Sequence, residues 1–156
     1  MSERKSSPPD LSLTLTRVFN APRALVFDAW TKKEHLDRWS APNGFTIPDY
    51  GADLRPGGAW HCLMIAPNGE KYPVNGVYLD VVPNELLVMT HGWVEDDGTR
   101  PHETIVTVRF ADENGKTRVT FEQTNFKSIE SRHGHEGGWT QCFDRLAEIL
   151  PQLQTS

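Results

Sequence analysis

The chain reads as an α+β domain in which a curved antiparallel sheet is covered by one long helix. Three observations carry this. Residues 45–126 break into short runs of β-type residues separated by clusters of Pro, Asn, Asp and Gly. One strand and two short helical segments precede that region. A single long amphipathic segment follows it, and it is the one large apolar surface available to cover a sheet face.

Taken in order, "LSLTLTRVF" (Leu11 to Phe19) alternates apolar and polar residues and predicts a strand. "APRALVFDAW" opens with Pro22, which suits a first helical turn, and Leu25, Val26, Ala29 and Trp30 recur at helical spacing. Thr31 and Glu34 have capping-box spacing, so a second short helix is expected there with Leu36 and Trp39 inward. The breaks "RPGG", "APNG", "VPNE", "EDDG" and "DENG" then divide the next stretch into six further strands joined as hairpins. The closing helix is expected from about Glu136 to Leu150, with Pro151 limiting its continuation. Its inward stripe would be Trp139, Cys142, Phe143, Leu146, Ile149 and Leu150. Such a helix is ~22 Å long, enough to cross several strands.

Length and composition fit this picture. The 156 residues suit one domain, read as residues 11–156 behind a flexible tail at 1–10. No apolar run is long enough for a membrane span, and the N-terminus lacks a signal-peptide core, so a cytoplasmic location is expected. A net charge of -5 argues against nucleic acid as a partner. Cys62 and Cys142 match no zinc or redox spacing, and two buried thiols are the expectation.

Alternation along the strands places unusual side chains on the face toward the helix. Trp60, Cys62 and Met64 share one face, as do Leu87, Met89, His91 and Trp93; Gly76, Tyr78 and Gln123 are also assigned inward. Buried Trp, Tyr and His need partners for their polar atoms, which a pocket with apolar walls and a few polar groups supplies. The alternative is that these residues pack at the sheet edge and reach water.

"RVFNAPRALVFDAWTKKEHLDRW", "DLRPGGAWHCLM", "NGVYLDVVPNELLVMTHGW" and "GHEGGWTQCFDRLAEIL" together resemble the activator of heat-shock-protein-90 ATPase homologue-like family of the START-like, birch-pollen-allergen-like (SRPBCC) superfamily. The resemblance covers about Leu11 to Leu150. It implies a helix-grip fold with a seven-stranded sheet around the C-terminal helix, two short helices closing one end, and a cavity that holds apolar molecules in superfamily relatives. Ser40 and His91 stand where relatives often carry a large aromatic, which implies a roomier or more polar cavity.

The expected ligand-binding residues are Trp30, Trp39, Trp60, Met64, Tyr78 and Met89, together with His91, Trp93, Gly138, Trp139, Cys142 and Phe143. The expected partner is a small apolar or amphipathic molecule, with no cofactor, no metal and no catalytic residue assigned. "HGH" at His133–His135 has no third ligand at a metal spacing, and no nucleophile motif or phosphate loop is present. Arg17 interrupts the first strand and is expected to pair with a carboxylate such as Asp53. Two other functions stay open: an enzyme using the same cavity, such as a cyclase or hydrolase, and a co-chaperone-like module acting on a chaperone. A homodimer is an open alternative for assembly.

Overall fold

The computed structural model describes residues 11–154; the tail expected at residues 1–10 lies outside them. The elements run in the order strand β1 (Leu13–Phe19), helices α1 (Arg23–Thr31) and α2 (Lys33–Trp39), strands β2 (Thr46–Ala52), β3 (Ala59–Ile65), β4 (Lys71–Val82), β5 (Leu86–Trp93), β6 (Thr104–Glu113) and β7 (Lys116–Thr124), and helix α3 (Ile129–Gln154). The strands form one seven-stranded antiparallel sheet, ordered β1-β7-β6-β5-β4-β3-β2. Every strand from β2 on pairs with its neighbour in sequence, and β1 closes the far edge against β7, with Leu13 opposite Gln123 and Phe19 opposite Thr117. This is the helix-grip arrangement.

The turns follow from their residues. β6 and β7 are joined by Asn114-Gly115 alone, both at positive φ (56° and 86°). That is the geometry a two-residue hairpin needs to match strand twist, and it explains the Asn-Gly pair. The β4–β5 ladder shifts register between Tyr78 and Asp80, and the β2–β3 ladder between Thr46 and Asp49. Such bulges bend strands, here at the half of the sheet away from β1. On the concave face, Trp60 donates its indole N–H to Thr90 O across β4 at 3.1 Å. Only a glycine at position 76 permits this, because a Cβ there would stand 1.9 Å from Thr90 O and 2.7 Å from Trp60 Nε1.

α1 buries Val26, Phe27, Ala29 and Trp30, and α2 buries Leu36 and Trp39. The Trp39 indole donates to Ala29 O at 2.9 Å and locks the two helices together. The expected capping box at Thr31 and Glu34 does not form. Thr31 belongs to the last turn of α1, and its hydroxyl donates back to Phe27 O at 3.0 Å, while Lys32 precedes α2 without a side-chain cap. The hydroxyl is spent on the helix it ends, so it cannot serve the next one.

α3 also departs from expectation. It starts at Ile129 rather than near Glu136, because Ser128 caps it: Ser128 Oγ accepts from Ser131 N at 3.0 Å. It continues through Pro151 to Gln154, since a proline this close to the end forfeits one backbone bond in a turn that is closing anyway. Gly134, Gly137 and Gly138 therefore lie inside the helix, not at its entry. Cys142, Phe143, Leu146, Ile149 and Leu150 are buried beneath α3 as the stripe requires. Arg17 pairs with Asp144 on α3 at 2.7 Å, not with Asp53, which pairs with Arg55. The pairing across to α3 holds because β1 runs directly alongside the helix.

These contacts separate two kinds of glycine. Gly137→Ala adds a methyl group in open space on an exposed helical face and is expected to stabilise the protein by up to ~1 kcal/mol. Gly76→Ala drives a methyl group into Thr90 and is expected to cost at least about 2 kcal/mol. Urea unfolding of the two variants measures both; a Gly76→Ala variant as stable as the parent contradicts the assignment.

Candidate ligand-binding site

The bent half of the sheet and one flank of α3 enclose a cavity of about 680 Å³. α3 reaches the opposite half of the sheet directly. Phe143 meets Phe19 and Phe121 edge to face, and Trp139 lies 4.6 Å from Phe121 between ring centroids. Its other flank presents Ser131, Gly134, His135, Gly138 and Cys142 to strands β2–β5 across open space. Gly134 and Gly138 sit four apart on that flank, so two stacked positions of the helix face the cavity without side chains. A Cβ at Gly138 would meet Pro42 at 3.7 Å, ordinary contact, and a longer side chain would project into the cavity beside Trp139.

The composition of the wall is sorted by chemistry. All five tryptophans and all three tyrosines of the chain line the cavity. Of the seven phenylalanines only Phe45 does; the others pack elsewhere. Aromatic rings with polar tips have been kept for the cavity and plain rings for the solid core. Of the residues expected at the site, Trp30, Trp39, Trp60, Met64, Tyr78 and Met89 line the cavity, as do His91, Trp93, Gly138, Trp139 and Cys142. Phe143 does not. It lies one position round the helix from Cys142 and backs the wall from behind, 5.9 Å from the Trp30 ring and 6.4 Å from Trp139.

Several wall residues were not expected: Phe45, Tyr50, Tyr72, Gly134 and His135. Phe45 and Tyr72 stand 5.9 Å apart and Tyr72 meets Trp93 at 6.3 Å, an aromatic rim with Tyr72 well exposed. Gly134 was detectable in principle from its four-residue offset to Gly138.

The indole N–H groups are mostly spent on the protein. Trp139 donates to Gln123 Oε1 at 2.9 Å; Gln123 Nε2 donates to Thr104 Oγ1 at 2.8 Å; Thr104 Oγ1 donates to His91 O at 3.1 Å. This relay, buried from Gln123 onward, runs from α3 through β7 and β6 to β5, and fixes both Trp139 and the backbone of His91. Trp93 Nε1 donates to His135 Nε2 at 3.0 Å. An indole can only donate, so His135 Nε2 carries a lone pair, and Nδ1 holds the proton that is donated to Ser131 O at 2.7 Å. His135 is thereby fixed as one neutral tautomer.

Burial favours the uncharged forms of the histidines, cysteines and tyrosines inside the cavity. It pushes His91 down to about 3, helped by His135 and Arg100, and it lowers His135 as well. It pushes the Cys62 and Cys142 thiols up to about 12, and raises the Tyr50 and Tyr78 phenols. Both cysteines are free. A thiol at about 12 is not a nucleophile at neutral pH. The charged wall residues Glu95, Lys127 and Glu130 are exposed at the rim. Among the described residues no group of three or more His, Cys, Asp and Glu side chains could hold a metal, and no helix is long and apolar enough to cross a membrane.

The model of the activator of Hsp90 ATPase homolog 1-like protein family matches residues 20–151. The chain belongs to this family. Members and fold relatives of known structure superpose over nearly the whole chain. A protein from Nitrosomonas europaea is 27% identical with a TM-score of 0.81, covering 96% of this chain and 99% of its own. One from Chromobacterium violaceum is 28% identical with a TM-score of 0.82, covering 90% and 96%. The AHSA1 protein from Silicibacter pomeroyi is 27% identical with a TM-score of 0.83, covering 90% and 98%. No curated protein matches the chain by sequence.

A pH dependence follows from the two neutral histidines. Above about pH 6.5 folded and unfolded chains both hold them unprotonated. As pH falls below that value the unfolded chain gains protons that the folded chain refuses, down to about 3 for His91, so stability is lost. Between about pH 6 and pH 5, His91→Phe is expected to remove about 1 kcal/mol of this loss. Urea unfolding at the two pH values measures it; an unchanged slope contradicts a neutral His91.

Proposed function

We propose that the chain binds a small apolar or amphipathic molecule in the cavity between α3 and the sheet. The observation that carries this is the cavity itself: about 680 Å³ walled by every tryptophan and tyrosine of the chain. That volume equals roughly 20 waters at the ~30 Å³ each occupies in the liquid, the range of small-molecule pockets. An empty space lined by so much aromatic surface forgoes packing that a solid core would gain. An occupant restores it.

The enzyme reading has less behind it. Catalysis in the cavity calls for converging groups free to move protons. His91 and His135 do converge, with ring centroids 5.9 Å apart. The lone pair and the N–H of His135 are, however, both engaged by Trp93 and Ser131. A chaperone-directed role rests on the family's description alone, whereas the ligand reading rests on this chain's own side chains.

Native mass spectrometry of freshly purified protein is expected to show a bound non-protein mass that denaturation releases. Gly138→Leu fills the cavity from the helix side and is expected to weaken that binding by at least about tenfold while the protein stays folded. Full retention of the bound mass by Gly138→Leu would place the occupant elsewhere and overturn the proposal.

A further inference from the structure

The wall narrows the class of occupant, given the ligand-binding reading above. First, its planes are fixed. Four of the five indoles are tied through N–H to Ala29 O, Thr90 O, His135 Nε2 and Gln123 Oε1. Tied indoles present faces and edges at set positions and do not re-pack around a flexible chain. Methionines would allow that adaptation, and the cavity has only Met64 and Met89. Fixed aromatic planes favour another flat ring, which stacks or meets them edge to face.

Second, no charged side chain lines the inner part of the cavity. The charged wall residues lie at the exposed rim, and there two carboxylates, Glu95 and Glu130, outnumber the single Lys127. An ionised group carried inward would be desolvated without compensation.

Third, the His91 ring is a buried polar group that faces the cavity. His91 is 7% exposed and lies between Trp60, Trp93 and His135 at ring distances of 5.9, 5.4 and 5.9 Å. No hydrogen bond joins its ring to another residue among the described residues, and the ring borders the cavity. The side-chain polar atoms sealed from all solvent without a partner are Trp30 Nε1, Arg100 Nε and Arg132 Nε. The His91 ring is not among them because it opens on the cavity. A neutral imidazole carries one ring nitrogen with a lone pair, which a hydroxyl group can meet as donor.

We infer that the occupant is an uncharged, planar aromatic molecule carrying a hydroxyl group, which donates a hydrogen bond to the free ring nitrogen of His91. The ring system lies among the fixed indoles and the hydroxyl points toward the N-terminal turns of α3. His91 is the specificity-determining residue, and the aromatic walls supply most of the affinity.

Isothermal titration of the full chain and of H91F with four probes of similar size tests this. The probes are 2-naphthol, 2-methoxynaphthalene, 2-naphthoate and 1-decanol. 2-Naphthol is expected to bind roughly 3- to 10-fold more tightly than its methyl ether, the effect of one ordinary hydrogen bond, and more tightly than either remaining probe. H91F is expected to erase the naphthol–ether difference and leave the ether's affinity within about twofold. On the parent protein, ¹⁵N spectra of the histidine side chains are expected to show one His91 ring nitrogen shifted by 2-naphthol and not by the ether, which requires no variant to fold. Equal binding of naphthol and ether, or tightest binding of decanol or naphthoate, overturns the inference but leaves the ligand-binding reading standing. Failure of every probe to bind overturns both.

Discussion

One helix cannot cover a seven-stranded sheet. Six inter-strand spacings make a sheet about 29 Å wide, while a helix with its side chains is only 10–12 Å across. α3 must choose a side, and Arg17–Asp144, Phe19–Phe143 and Phe121–Trp139 show it seated on β1 and β7. The sheet curves back over the helix's other flank, helped by the bulges in β2–β3 and β4–β5. The short helices α1 and α2 add Trp30, Leu36 and Trp39 to the wall without filling the remainder. The cavity is what this mismatch of widths leaves, and Gly134 and Gly138 keep the helix from closing it.

Such a space stays open only if the wall is rigid. Large side chains around a void gain contacts by collapsing into it. Here the tips of the rings resist that. Trp60 is held by Thr90, Trp93 by His135, Trp39 by Ala29, and Trp139 by the Gln123–Thr104 relay. Each collapse would break one of these hydrogen bonds, and for the buried ones of Trp39 and Trp60 a group left unpaired costs about 1–3 kcal/mol. The polar tips of Trp, which look wasteful in a core, are the means of holding the wall apart. This accounts for the sorting of Trp and Tyr to the cavity and of Phe to the packed side.

Much of this was legible in the sequence, for identifiable reasons. Strand faces followed from strict alternation: Trp60 with Cys62, His91 with Trp93, and Gln123 inward on β7. Turns followed from Asn-Gly and its kin, which have few other uses. Helix limits were harder. The glycines of "RHGHEGG" disguised seven residues of α3, because their low propensity outweighs a lone Ser128 cap when tertiary packing is unseen. Phe143 was misplaced by the neighbouring problem: a helical stripe identifies the buried side, but not which of its two flanks meets the core and which meets the cavity. Tyr50 and His135 were missed as wall residues because their roles depend on partners distant in sequence, Tyr78 and Trp93. The pairing of Arg17 with Asp144, 127 residues away, is of the same kind.

The central claim is that a rigid, open cavity lies between α3 and β2–β5, held by hydrogen-bonded indoles. A high-resolution crystal structure of the protein as purified tests it most directly. Trp60, Trp93 and Trp139 are expected in their hydrogen-bonded positions around a space that contains density not belonging to the chain. A structure in which Trp93 or Trp139 has turned inward, and α3 rests on β4 and β5 with no space between, would contradict it.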